Sequence, residues 1–75
     1  MKLSALKPGE SLLVKKISTP DLQIKHRLND LGITRGITLK LVGFAPLGDP
    51  VKIELRGYEL AIEKLLASYV EGDKL

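Results

Sequence analysis

The sequence contains no cysteine and no tryptophan, and it has a single histidine, a single methionine and three aromatic rings, Phe44, Tyr58 and Tyr69. Without thiols, no disulfide or thiolate metal site can staple the chain, which fits a reducing compartment. His26 alone falls short of the three or more ligands that zinc and iron sites use. It lies in a helical stretch with Asp30 four residues on, and reads as a solvated side chain. Catalysis lacks its groups as well: Ser4, Ser11, Ser18 and Ser68 stand outside any nucleophile-elbow context, and no base is placed beside them. Three scattered rings make neither a stacking platform for single strands nor an aromatic groove for proline-rich peptides. No apolar run approaches the about 18 residues of a membrane span. The opening Met1–Pro8 has no sustained apolar segment of the secretory type. The expectation is a cytoplasmic chain with no catalytic residues, no resident metal, no cofactor and no membrane insertion.

The 75 residues form one domain, 1–75, with 44% apolar residues, enough for one core. The net charge of +3 is uneven. Residues 1–56 hold ten basic and five acidic side chains, whereas residues 57–75 hold two basic and four acidic ones. That imbalance permits an acidic partner without demanding a polyanion.

Period-two alternation marks the middle of the chain. Ile37, Leu39 and Leu41 alternate with Thr38, Lys40 and Val42, and Val51, Ile53 and Leu55 alternate with Lys52, Glu54 and Arg56. Both runs read as half-buried strands. Ser11–Ile17 reads as a first strand, with Leu12-Leu13-Val14 implying full burial or a bulge. Thr19-Pro20-Asp21 is a helix start, with Thr19 as cap and Pro20 first in the helix. The helix is predicted over 20–31, placing Ile24, Leu28 and Leu31 on one face and Gly32 just past its end. Gly57-Tyr58 marks a reversal, 59–62 a short strand, 63–67 a single helical turn and 68–70 a last strand, with 72–75 frayed. Five short strands leave fewest exposed edges when rolled into a small barrel.

The most specified segment is the loop Ala45-Pro46-Leu47-Gly48-Asp49-Pro50 between two strands. Two prolines fix φ, Gly48 permits positive φ, and Asp49 can bond nearby backbone. From Gly43 on, the glycine spacing matches a phosphate-binding loop, but the chemistry does not. Asp49 stands where lysine would meet phosphate, Pro50 where a hydroxyl would hold magnesium, and a strand follows instead of a helix. The loop therefore reads as a rigid tip that presents Leu47.

The run Arg27–Gly36, the loop Ala45–Pro50, the strand Val51–Gly57 and the opening Leu3-x-x-Leu6-x-x-Gly9 resemble the FeoA family at matching spacings. The resemblance implies a mainly β, SH3-like five-stranded barrel with one helix. It also implies a cytosolic accessory to ferrous iron uptake, partnered by the cytosolic GTP-binding region of a FeoB-type membrane transporter. The chain departs from the usual family residues at Arg35, where proline is frequent, and at Glu63, where a basic residue is frequent. Related SH3-like domains end iron-dependent repressors, so the alternative is a nucleic-acid or transcription-associated module. This chain lacks the helix pair that reads a major groove.

The candidate partner contacts are Leu47, Phe44 and Tyr58, framed by Lys52 and Arg56. Arg35 and Arg56 are also the candidates to stabilise charge on a partner's nucleotide. Val42 and Phe44 are placed on the strand face opposite Leu39 and Leu41, with Val42 assigned to core packing. The apolar tip also makes weak self-association an expectation.

Overall fold

Alternating residues become strands only where one face has something to bury against, and here that condition is met five times. A computed structural model describes all 75 residues: β1 Ser11–Ile17, α1 Leu22–Asp30, β2 Thr38–Phe44, β3 Val51–Leu55, β4 Tyr58–Ile62, α2 Lys64–Ala67 and β5 Val70–Lys74. Short 3₁₀ turns occupy Leu3–Ala5 and Pro46–Gly48, and the Asp49–Pro50 peptide is cis. All strand pairs are antiparallel, in the order β4-β3-β2-β1-β5. Fifteen buried apolar residues, drawn from every strand, both helices and the opening turn, form one core. No hydrogen-bonded pairing joins β4 to β5, so the small barrel is open along that seam.

α1 is shorter at both ends than the predicted 20–31. Its cap is Asp21, not Thr19: the Asp21 carboxylate accepts from the Gln23 N–H at 2.9 Å. Thr19 is buried, and its hydroxyl is engaged one step earlier, accepting from the Asp21 N–H at 3.2 Å. Pro20 thus lies outside the helix. At the other end Gly32 has φ 88°, and the Ile33 N–H reaches back to Leu28 O at 2.9 Å. That is the Schellman closure expected for glycine at this position. Leu28, fully buried, is worth about 1.5–3 kcal/mol in transfer out of water.

The carboxyl end differs more. Residues 72–74 are not frayed but belong to the last strand, β5, which runs over Val70–Lys74 instead of 68–70 and pairs with β1 from Leu12↔Lys74 to Ile17↔Val70. Gly72 is buried there, and its N–H donates to Met1 O at 2.9 Å. A Cβ at Gly72 would lie 1.9 Å from Leu13 O, so the close approach of β1 and β5 requires glycine.

Two register shifts shape the outer surface. One lies in β1 between Val14 and Lys16, the other in β2 between Leu41 and Gly43. The second corrects the expectation for Phe44. Strict alternation would put Phe44 outward with Val42, but the extra residue brings Phe44 opposite Val51, on the core side of the sheet near its end. Val42 is the residue left out of the pairing and is exposed, not packed in the core.

Candidate protein-interaction surface

The loop at 45–50 closes on itself before it touches anything else. The Gly48 N–H donates to Ala45 O at 2.8 Å, and the Ala45 N–H donates to Pro50 O at 3.0 Å. Pro46 follows Ala45, and Leu47 then adopts φ 74° and ψ 4°. This is the third position of a type II turn, where glycine is at ease and a side chain costs about 1–2 kcal/mol. The tip is also tied to the barrel: the Asp49 carboxylate accepts from the Lys64 N–H at 3.0 Å, at the start of α2. Leu47 is 102% exposed and half-exposed Phe44 precedes the loop, so the pinned tip carries an apolar side chain wholly in water.

The six candidate residues do not form one patch. Leu47, Phe44 and Lys52 lie at the tip end of β3. Arg56 and Tyr58 lie at its far end, about 13 Å away along a five-residue strand. There, Arg56 (φ 50°) and Gly57 (φ 83°) form the two-residue turn between β3 and β4, with the positive φ pair of a type I′ hairpin. The Arg56 guanidinium donates to the Thr34 hydroxyl at 3.3 Å. The Tyr58 hydroxyl donates to Leu31 O at 2.9 Å, just past the end of α1. Both side chains therefore fasten the β3–β4 turn to the segment after α1. Arg35 lies in that same segment, exposed and without an ion pair.

Sequence reasoning missed Asp49 as the tether between tip and α2, a contact between residues 15 apart that leaves no local signal. It also missed the exposed apolar pair Leu22 and Leu65, at the starts of α1 and α2.

Ion pairs are few: Arg27–Glu63 at 3.0 Å, Lys15–Asp73 at 3.9 Å, and Lys74 with Glu10. The Lys74 ammonium, with the Lys7 N–H at 2.7 Å, holds the Glu10 carboxyl below its ordinary 4.5. No group of three or more His, Asp or Glu side chains converges. No helix is long and apolar enough to cross a membrane.

The FeoA domain family model matches residues 1–74. A FeoA protein from Chlorobium tepidum, solved by NMR, is 38% identical with TM-score 0.83, the match covering 95% of this chain and 67% of that one. A crystal structure of an iron uptake regulatory protein, FeoA, is 32% identical with TM-score 0.88, covering 100% of this chain and 97% of that one. FeoA from Stenotrophomonas maltophilia, crystallised with zinc and described as a prokaryotic SH3 domain protein, is 26% identical with TM-score 0.81, covering 97% and 89%. A manganese-dependent transcriptional repressor superposes with TM-score 0.92 at 18% identity, over 36% of its own length, which is likeness of fold alone. No curated protein matches the chain. The mainly β, SH3-like architecture expected from the resemblance is thus the observed one.

Proposed function

The chain belongs to the FeoA family, and on that premise we propose that it is a non-enzymatic cytoplasmic accessory to ferrous iron uptake. It docks on the cytosolic GTP-binding region of a FeoB-type transporter and shifts that region's conformational or GTPase equilibrium. The role described for the Stenotrophomonas relative, a candidate activating factor for bacterial ferrous iron transport, supports the setting. The observation that carries the docking reading is Leu47: fully exposed, in a left-handed conformation that disfavours it, on a loop held by three hydrogen bonds. Nothing within the fold rewards leucine there. Burial against a partner does, by about 1.5–3 kcal/mol for a leucine side chain. Preshaping of the loop lowers the ordering cost of that contact.

Titration of the full chain against the transporter's cytosolic domain, nucleotide-free and with GDP or a GTP analogue, tests this. Micromolar or tighter binding is expected in at least one state, and Leu47→Asp should weaken it about 10- to 100-fold, the equivalent of that burial. Absence of binding at high micromolar in every state removes the partner. Equal binding by Leu47→Asp removes the tip as the contact.

A further inference from the structure

Lys15 and Lys16 are consecutive residues of one strand, and a regular strand would aim one of them inward. The bulge between Val14 and Lys16 leaves both exposed, and both line the same trough. This open trough, about 440 Å³, runs between the end of β1, one face of α1 and the turn after Ile33. Lys25 and His26 line it from the helix and Arg35 from the turn, and no acidic side chain lines it.

Four Lys and Arg side chains around one depression repel each other, and the fold offsets this only from β5, where Asp73 lies near Lys15 and Glu71 is registered opposite Lys16 without an ion pair. Lys15 has Asp73 at 3.9 Å, whereas Lys16, Lys25 and Arg35 have no carboxylate within 4.0 Å. The chain forms closer pairs elsewhere, as at Arg27–Glu63, so the omission is local. The β1 bulge adds to the concentration of charge, in the manner of bulges that re-aim a side chain toward a site.

We propose that this trough binds an acidic peptide segment of a protein partner, a short run bearing several Asp or Glu side chains. Charge sign requires an anion. The only ring in the lining is the His26 imidazole, with no Phe, Tyr or Trp to stack a base, and the apolar floor is only Ile17 and Ile33, which disfavours a nucleotide. The helix contributes its middle and later residues, not the N-terminal amides that form phosphate sites. Flexible lysine point charges spread along an open trough suit carboxylates spaced along an extended chain, and Asn29 and Thr34 offer hydrogen bonds to its backbone. The site is separate from the Leu47 tip and does not depend on the transporter being the partner.

The test is an NMR titration of the full chain with a capped hexaglutamate peptide at low salt, with pyrophosphate, ATP and phosphatidylserine vesicles as parallel arms. Shifts should concentrate at residues 15–17 and 25–35 and fade with added salt. The Lys25→Ala, Arg35→Ala double variant should bind at least tenfold more weakly, whereas Lys40→Ala, Lys52→Ala and Leu47→Asp should bind as the parent does. Shifts spread over all lysines, undiminished binding by the double variant, or no binding at millimolar peptide each overturn the proposal. Tighter binding of pyrophosphate, ATP or vesicles in the trough overturns the peptide assignment. The unchanged Leu47→Asp titration separates failure here from failure of the docking reading.

Discussion

The two ends of β3 each carry a non-glycine residue in the left-handed region, Leu47 before it and Arg56 after it, and the two are managed differently. Arg56 stands in a two-residue turn, and its strain accompanies contacts inside the molecule: its guanidinium meets Thr34, and Tyr58 two residues on meets Leu31. Leu47 has no such return. Its backbone is fixed by neighbours on both sides, but its side chain touches only water. A strained residue with internal compensation is explained by the fold. A strained residue without it is not explained by the fold, and that is the ground for the docking proposal.

Both turns hang from one cooperative barrel, and Gly72→Ala tests that dependence. The added Cβ would strike Leu13 backbone at 1.9 Å, so β1 and β5 must separate. A loss of about 3 kcal/mol or more is expected, against a total near 4–11 kcal/mol for a chain this size. Denaturant melts and amide exchange should show both ends of β3 loosening together. Loosening of one end alone would make the turns independent.

Tyr58→Phe removes only the bond to Leu31 O and should lower stability by about 1 kcal/mol, with transporter binding retained. Parent-like melting would deny the β3–β4 turn its internal tie. Smaller, and of opposite sign, is Leu47→Gly. Relief of about 1–2 kcal/mol of backbone strain, less the entropy glycine loses, predicts a gain of about 0.5–1 kcal/mol together with weakened docking. Arg56→Asn relieves similar strain but forfeits the Thr34 contact, so its stability should change by no more than about 0.5 kcal/mol. Equal gains at both positions would erase the distinction between the two turns.

The smallest effect concerns the β1–β5 seam and appears with pH. Glu10 titrates below its ordinary 4.5 because Lys74, then the Lys7 N–H, favour its charged form. Its contribution is therefore complete above that value and is lost as pH falls through the lowered one. Glu10→Gln should melt slightly below the parent at neutral pH, and the two curves should converge in acid. A constant offset down to the most acid pH would remove the carboxylate's charge as the cause.

Much of this was legible beforehand because its causes are local. Period-two patterning located β2 and β3, glycine after Leu31 marked the helix end, and two prolines around Leu47 marked an exposed tip. The helix start was misread because Thr19, Pro20 and Asp21 are all fit to begin a helix, and only burial of Thr19 decides that its hydroxyl serves Asp21. Residues 72–75 looked frayed because Gly-Asp-Lys carries no strand propensity, yet pairing with β1 some 60 positions away makes 72–74 part of an edge strand. Two bulges moved Phe44 to the core side and aligned Lys15 with Lys16, and no periodicity announces an extra residue.

The sequence alone determined what short-range chemistry controls: the alternation of strands, the turn residues, the apolar tip and the poverty of catalytic and metal-binding groups. The tertiary structure decided which residues meet: the β1–β5 seam at Gly72, the separation of six candidate residues into two ends, and the basic trough. Contacts between distant positions depend on register and close approach, and these are settled only when the sheet rolls around its shared core.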